Sequence, residues 1–210
     1  MKMVTYNIHK ASDLNNKNTL NKITKYLKSK EFDVICLQEV LYPQFAKLKQ
    51  NLNMDGVFCA NVINQNMMYG ICTFSKYEID VHEHVLLTSK REQRGFLYTN
   101  VFSKNGKFNI INTHLGLDKN ERYIQINEIL NYSNKLPNKI IICGDLNEKN
   151  LSINTYNDVA IYTENFQKGT FIKNDARIDY IFSDKLITID DYYIDKIDYS
   201  DHYPIICKFR

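Results

Sequence analysis

The sequence lacks any apolar run approaching the ~20 residues that a membrane-spanning helix needs. Its first ten residues, MKMVTYNIHK, also lack the apolar core and the small-residue cleavage site of a secretory signal. None of the five cysteines forms a CxxC pair, and four lie in apolar, strand-like runs. These absences predict a cytoplasmic protein without a membrane-spanning segment, whose cysteines are buried small side chains and neither disulfides nor zinc ligands.

Tryptophan is absent as well, and no linker, low-complexity tract or internal repeat interrupts the chain. The 210 residues suit one large domain, because sandwich folds of this length are commonly single. With 44% hydrophobic and 24% charged residues, the composition is that of an ordinary globular protein. We therefore predict a single domain over residues 1–210.

The net charge is only +3, so it argues neither for nor against a nucleic-acid partner. The distribution of charge is more informative than the total. Residues 1–50 hold nine Lys against four acidic residues, whereas residues 178–201 hold seven Asp against two Lys. The acidic segment suits a bound cation at least as well as a solvated surface.

Apolar periodicity predicts strands and helices in mixed order, with strand–helix–strand units and hairpins both present. The predicted helices are Asn18–Lys30, Pro43–Leu52 and a segment that follows a capping-box pattern at Asp118. The predicted strands are residues 1–7, 32–37, 57–63, 68–74, 79–87, 96–102, 107–113, 140–143, 177–183, 186–193 and 204–209. Residues 149–176 are expected to be irregular, and residues 103–106 to form a hairpin turn. This order predicts two sheets packed face to face with helices outside.

The stretch IIICGDLNE is central to the chain. Residues 140–143 are four apolar residues, mostly β-branched, and they predict a strand that is buried on both faces. Gly144 ends the apolar run, and Asp145 and Asn147 follow where the strand leaves the core. Strand ends of this kind are where ligand groups collect. The alternative is a Gly-Asp turn whose side chain bonds its own backbone.

Eight polar residues share this placement in or at the end of an apolar run, where an unpaired polar side chain is costly. They are Asn7, Glu39, His114, Asp145, Asn147, Asp179, Asp201 and His202. Taken singly, most are explained by turn caps or by an ordinary core histidine. Asp179 is the clearest exception, because RIDYIF places a carboxylate inside an apolar strand. A buried carboxylate needs a cation, a histidine or several hydrogen-bond donors as its partner. Eight such placements favour a shared site.

Six blocks in order, TYNIH, LQEV, NTHLG, GDLNE, RIDYIF and SDHYPI, resemble the motifs of the endonuclease/exonuclease/phosphatase superfamily, the deoxyribonuclease I-like hydrolases. The similarity runs from Thr5 to Ile205, and THLGLDKNERYIQ also resembles the small bacterial branch of that group. The resemblance implies an α/β fold, a four-layer α-β-β-α sandwich of two mixed, mostly antiparallel sheets. It also implies hydrolysis of phosphate esters with Mg²⁺ or Mn²⁺ as cofactor.

The resemblance further implies a metal site. Glu39 resembles the principal metal ligand of the family, and Asn7 resembles the residue that supports that site. Asp201 resembles a further metal or site ligand. Mg²⁺ keeps several waters and needs one or two carboxylates, so Glu39 alone could anchor one ion and the number of metals stays open.

The remaining motif residues resemble the catalytic groups. Asp145 and Asn147 resemble the pair that positions the attacking water and the scissile phosphate, and His114 resembles a donor to a phosphate oxygen. His202 resembles the catalytic histidine, with Asp179 as the carboxylate that orients it. Whether His202 acts as a base or as a cation that stabilises the phosphate stays open.

Arg94, in EQRGF, is a candidate phosphate contact, with a solvated loop arginine as the alternative. The favoured function is a phosphodiesterase that acts on nucleic acid, DNA or RNA. The first alternative is a phosphatase or phospholipase C-type hydrolase of a phosphorylated lipid, sugar or nucleotide, and the second is an inactive binding protein of the same fold. The Lys-rich first helix is a candidate nucleic-acid surface, although a solvated face is favoured.

Overall fold

The computed structural model of the protein describes residues 1–104, 106–137 and 139–210. The strands in these ranges are β1 (Lys2–Asn7), β2 (Val34–Leu41), β3 (Asp55–Asn64), β4 (Met67–Ser75), β5 (Ile79–Leu86), β6 (Gly95–Ser103), β7 (Gly106–His114), β8 (Ile140–Asp145), β9 (Tyr156–Asp158), β10 (Asp179–Asp184), β11 (Ile189–Ile194) and β12 (Ile205–Phe209). The α-helices are α1 (Leu20–Ser29), α2 (Tyr42–Leu52), α3 (Lys119–Ser133) and α4 (Val159–Tyr162).

Two sheets of six described strands each form the sandwich. The first sheet has the order β11-β12-β1-β2-β4-β3, and the second has the order β5-β6-β7-β8-β10-β9. The pairs β1–β2 and β7–β8 are parallel, with α1 and α3 as their crossovers, and the other named pairs are antiparallel. Parallel neighbours need such a crossover, whereas hairpins join the antiparallel ones.

Four apolar clusters fill the layers of the described structure, and the smallest joins Cys59 and Ile71 of the first sheet to Leu97 of the second. One lies between the sheets and joins Cys36 of the first sheet to Ile141 of the second. A second lies under α1 and α2, with Ile23 among its buried side chains, and a third lies under α3, with Ile129. This arrangement confirms the four-layer α-β-β-α sandwich with two mixed, mostly antiparallel sheets.

Strand β2 runs past its predicted end at Leu37 and continues to Leu41. Its register against β4 shifts between Leu37 and Val40, and Glu39 has a φ of 55°. Glu39 therefore lies in a β-bulge inside the strand and not after its end. Bulges of this kind re-aim a side chain, and they are common beside active sites.

Strand β8 also continues through Gly144, where the sequence indicated a break. Gly144 has a φ of 138°, and a Cβ at this position would overlap the carbonyl oxygen of Thr113 on the neighbouring strand. Glycine is needed here because two backbones approach closely and the φ is positive. The strand therefore delivers Asp145 directly from the sheet.

Residues 149–176 contain β9 and α4, although the sequence indicated an irregular segment. Asp158 caps α4 and receives two hydrogen bonds from Arg177, at 3.0 and 2.8 Å. A three-residue strand is too short to show a periodicity of two, which is why the pattern missed it. The predicted hairpin turn includes Asn105, which lies outside the described residues, and its flanking strands β6 and β7 are antiparallel as predicted.

Helix α3 begins at the predicted cap, where the Asp118 side chain accepts from the Glu121 amide. Tyr123 is exposed although it belongs to the apolar spacing of this helix, while Glu121 and Gln125 are buried. The Glu121 carboxylate accepts from the Lys90 amide and from Gln125, so this face is anchored to the loop before β6 by polar contacts. Its apolar spacing could not reveal a polar interface.

The acidic segment is partly paired with cations at the surface. Three carboxylates of the acidic segment contact cations, in the pairs Asp190–Arg210, Asp191–Lys208 and Asp195–Lys30. The Lys2 ammonium donates to the carbonyl of Lys30, which directly follows α1. Because Lys2 begins β1 and Asn7 ends it, the last turn of α1 lies at the end of β1 opposite Asn7. This placement agrees with a solvated face for the Lys-rich helix.

All five cysteines are buried and free, as predicted. In the described parts of the chain, no helix is both long enough and apolar enough to cross a membrane.

Candidate active site

Three neighbouring strands of the second sheet end in polar side chains at one edge. Asp145 on β8 is the register partner of His114 on β7 and of Asp179 on β10. Along β10, Tyr180 packs in the outer cluster and Ile181 in the cluster between the sheets. Because strand side chains alternate, Asp179 faces the first sheet together with Ile181.

The first sheet supplies the opposite wall. Asn7 ends β1 beside β2, and its amide nitrogen lies 3.3 Å from Glu39 Oε1 and 3.0 Å from Asp145 Oδ2. Ser200 donates to the Asn7 carbonyl at 2.8 Å, which ties the loop carrying Asp201 to the end of this strand. Asn7 thus links carboxylates from both sheets.

One oxygen of Asp145 is the centre of the cluster. Besides Asn7, Oδ2 lies 3.5 Å from His114 Nε2 and 3.6 Å from His202 Nε2. The other oxygen accepts from the Asn147 amide at 2.9 Å. Burial raises the pKa of Asp145 to about 7, with the charge of Asp179 adding to the shift while His202 and Asn7 oppose it.

Asp179 and His202 form a buried pair across the sandwich, with Oδ2 and Nδ1 2.9 Å apart. The two residues come from different sheets, because β10 belongs to the second sheet and β12, which follows His202, to the first. Burial lowers the pKa of His202, but Asp179, Asp145 and Asp201 outweigh it and raise the value to about 10. Asp179 is itself held by Thr170, whose hydroxyl accepts from the Asp179 amide.

His114 has the opposite electrostatic environment. Burial, followed by the positive charges of Arg94 and His202, lowers the pKa of His114 well below its usual value. Arg94 Nη1 lies 3.1 Å from His114 Nδ1 and 2.7 Å from a Glu92 oxygen. Arg94 is therefore buried inside the site wall and is not a solvated loop arginine. The cluster holds one cationic and one neutral histidine.

The donor set suits a hard divalent cation. Glu39 is partly exposed, and burial together with the Glu39 charge raises the pKa of the adjacent Tyr69 hydroxyl. Four carboxylates of the site, Glu39, Asp145, Asp179 and Asp201, face two cations, His202 and Lys173. Burial, followed by the charge of Asp179, raises the pKa of Asp145, and a bound cation would lower it. Carboxylate and amide oxygens are the ligands Mg²⁺ and Mn²⁺ prefer.

The structure adds three residues that the sequence interpretation missed. His9 Nδ1 lies 3.6 Å from Asp201, and Lys173 Nζ lies 3.5 Å from the other oxygen of that carboxylate. The Phe171 ring packs 4.9 Å from the His202 ring. His9 stands in the TYNIH block, so its position in a motif could have indicated it. Phe171 and Lys173 come from the segment expected to be irregular, where no sequence pattern marks them.

The raised pKa of Asp145 predicts how stability depends on pH without metal. Between the unfolded value of 3.8 and the folded value of about 7, the native state binds more protons than the unfolded state. Stability contributed by the protonated form is thus lost as pH rises through this window. We expect Asp145→Asn to raise the melting temperature in EDTA more at about pH 8 than at about pH 5, which calorimetry measures.

The matched control for this test is Asp184→Asn, at the other end of β10, where Asp184 accepts from the Leu186 amide near the surface. This variant should show no such pH dependence. An equal effect of Asp145→Asn at both pH values would contradict the assigned protonation of Asp145.

A family model described as the endonuclease/exonuclease/phosphatase family matches residues 4–202. Among curated proteins, none matches the sequence significantly. A functionally unknown conserved protein of Enterococcus faecalis V583 has the same fold at a TM-score of 0.83 and 17% identity, covering 100% of this chain and 99% of that one.

Two other solved structures share the fold. TDP2 of D. rerio, complexed with a single-strand DNA product, aligns at a TM-score of 0.84 with 19% identity, covering 100% of this chain and 98% of that one. The mannosyl-6-phosphatase Bt3783 of Bacteroides thetaiotaomicron VPI-5482 aligns at a TM-score of 0.80 with 16% identity, and the alignment covers 100% of this chain and 99% of that one. Because the family model matches residues 4–202, nearly the whole chain, this chain belongs to the endonuclease/exonuclease/phosphatase family.

Proposed function

We propose that this chain is a divalent-metal-dependent phosphoesterase whose single catalytic domain, residues 1–210, hydrolyses phosphodiester bonds. The observation that carries the proposal is the convergence of Asn7, His114 and His202 on one oxygen of Asp145, from both sheets. Membership of the family supports phosphate-ester hydrolysis. Glu39 opens towards solvent beside this cluster and supplies a carboxylate for the metal.

The protonation states support distinct roles for the two ends of the cluster. His202 is an imidazolium at neutral pH, held by Asp179, and such a cation stabilises negative charge on the phosphoryl oxygens instead of taking a proton. Asp145, with a pKa of about 7, is poised to accept the proton of the attacking water. As the water oxygen forms its bond to phosphorus, the ester bond breaks, and the leaving alkoxide takes up a proton from bulk water to become the alcohol. His114 and Asn147 then act as donors to a phosphate oxygen.

Glu39, Asn7 and Asp201 are the proposed holders of the metal. When bound, Mg²⁺ or Mn²⁺ neutralises charge on the scissile phosphate and polarises it. The buried trio Asp145, Asp179 and His202 also brings its ligand atoms within 4.8 Å of one another. An imidazolium has no lone pair for a metal, however, and Asp179 already pairs with it, which favours the Glu39 side.

Nucleic acid, DNA or RNA, is the proposed substrate, as the single-strand DNA product bound to TDP2 of the same fold supports. The mannosyl-6-phosphatase of the same fold favours the alternative, a phosphatase of a phosphorylated sugar, lipid or nucleotide. Only the start of the Lys-rich helix lies near the site, where Lys22 packs on Tyr199, while its last turn lies at the end of β1 opposite Asn7. This placement weakens a broad basic footprint and keeps this alternative open.

A panel of four substrates tests the proposal. With Mg²⁺ or Mn²⁺ we expect cleavage of bis-p-nitrophenyl phosphate and of plasmid DNA or single-stranded RNA, and no cleavage in EDTA. Hydrolysis of p-nitrophenyl phosphate alone would instead support the monoesterase. Asp145→Asn is the control for contaminating nucleases, because it removes the proposed proton acceptor.

The same panel at dilute and at physiological salt measures the nucleic-acid footprint. Cleavage that falls steeply with salt indicates many phosphate contacts, because bound counterions are released on association. A folded protein that hydrolyses none of the four substrates would contradict the proposal in favour of a binding protein.

A further inference from the structure

Arg94 lies against His114 in a largely buried part of the site wall. The guanidinium Nη1 is 3.1 Å from His114 Nδ1, and the two residues are only 7% and 5% exposed. Glu92 lies 2.7 Å from the same nitrogen and balances its charge. A contact so deeply buried is held in the native state and does not compete with solvation.

This contact determines which nitrogen of His114 carries the hydrogen. A guanidinium has only donors, so Nδ1 must be the acceptor. A neutral imidazole that accepts at Nδ1 carries its hydrogen on Nε2. The ring is neutral at neutral pH, because burial and the charges of Arg94 and His202 lower its pKa. His114 is therefore a donor at Nε2 and has no lone pair there to act as a base.

Nε2 of His114 faces the centre of the site. It lies 3.5 Å from Asp145 Oδ2 and 3.1 Å from the side-chain nitrogen of Asn147. That nitrogen already donates to the Leu115 carbonyl at 2.9 Å, which fixes the orientation of the amide. Two N–H groups thus face one another, and they cannot bond to each other. An acceptor with several lone pairs, such as a phosphate oxygen, satisfies both.

We propose that Arg94 is a positioning residue that holds His114 in the Nε2-protonated tautomer, so that His114 and Asn147 present a pair of donors to one phosphate oxygen. This role replaces the direct phosphate contact that the sequence suggested for Arg94. The functional consequence rests on the proposed phosphoesterase activity, whereas the tautomer is a property of the free protein. Without the donor at Arg94, the Nδ1–H tautomer becomes accessible and turns a lone pair towards the phosphate.

Nitrogen-15 NMR of histidine-labelled protein tests the tautomer directly, because protonated and unprotonated ring nitrogens have well-separated shifts. At neutral pH, we expect His114 of the wild type to be protonated at Nε2 only. Arg94→Met should mix the two tautomers, and Arg94→Lys, which keeps a donor, should restore the single one. Arg91→Met is the matched control, because it removes an exposed cation from the same loop.

Turnover tests the consequence. We expect Arg94→Met to lower kcat/KM for bis-p-nitrophenyl phosphate by roughly 100-fold, the lower end of the loss when one donor is removed from an oxyanion site. Arg94→Lys should recover most of this loss, and Arg91→Met should match the wild type.

A wild-type spectrum with Nδ1–H or with both nitrogens protonated overturns the inference, even if Arg94→Met does not fold. An altered tautomer in Arg94→Met with unchanged kcat/KM overturns it as well. If the wild type is inactive on the whole panel but shows the Nε2–H tautomer, and Arg94→Met mixes the two tautomers, the proposed function fails while the positioning by Arg94 is supported.

Discussion

Asp179→Asn and His202→Ala should each lower turnover about a hundredfold or more, the effect of losing a positioned acid–base or charge-stabilising group. The reason is the 2.9 Å contact between Asp179 Oδ2 and His202 Nδ1, both of which are buried. The carboxylate maintains the imidazolium against the cost of burial. Without it, the cation that faces Asp145 and the substrate is lost or misplaced.

The double variant should be little worse than His202→Ala alone, because residues that act as one unit lose their function together. Turnover of bis-p-nitrophenyl phosphate by the two single variants and the double variant completes the cycle. Losses that multiply would show that Asp179 does not act through His202. Asp184→Asn on the same strand and His82→Ala on β5 are the matched controls.

Folding has to be measured beside turnover in this experiment. His202→Ala leaves Asp179 and Asp145 buried without their cation, and breaking a buried ion pair destabilises a protein by roughly 3–5 kcal/mol. Asp179→Asn keeps the shape of the side chain and is the milder change. Its loss of turnover at a temperature where it is fully folded is therefore the cleaner test.

Glu39→Gln should weaken Mg²⁺ binding by roughly 10- to 100-fold, a scale typical of lost support at a metal site. The fold should survive, because Glu39 lies at a partly exposed β-bulge and its side chain is not part of the core. Activity should fall at limiting Mg²⁺ and recover in part when Mg²⁺ is raised. Full activity at limiting Mg²⁺ would show that Glu39 is not the metal ligand.

Thermal stability gives a second measurement of the same change. A cation that binds only the native state raises the melting temperature with its concentration, so the wild type should gain more from Mg²⁺ than Glu39→Gln. Without metal, the variant should be at least as stable, since one of the carboxylates that share the Asn7 amide is neutralised. Glu31→Gln is the matched control, because Glu31 also has a positive φ but is exposed and outside the site.

The sequence alone was sufficient for the order of most elements and for the polar groups that meet at the site. Strand periodicity reports which side chains face inward, so the inward placement of Asp179 followed from its neighbours Tyr180 and Ile181. The family resemblance supplied the four layers, and the apolar runs supplied the strands. Motif spacing also singled out Arg94, although its partner was not foreseen.

Local patterns failed where the backbone departs from regular geometry or where polar groups form an interface. The bulge at Glu39 depends on how β2 pairs with β4, and an apolar run followed by polar residues looks like a strand end. The buried polar face of α3 depends on Glu121 meeting the Lys90 amide, a contact between segments 31 residues apart. Hydrophobic periodicity has no means of recording such a contact.

Only the tertiary structure decided which groups touch. Asp179 and His202 belong to different sheets, and they pair because the sandwich brings β10 opposite the loop before β12. Arg94 lies against His114 because β6 pairs with β7 within the second sheet, with Gly95 opposite His114, and one histidine of the site is neutral while the other is cationic. Protonation depends on burial and on charges within a few ångströms. Those distances are set by strand pairing within a sheet and by the stacking of two sheets, whereas the sequence determined only which side chains were available to meet.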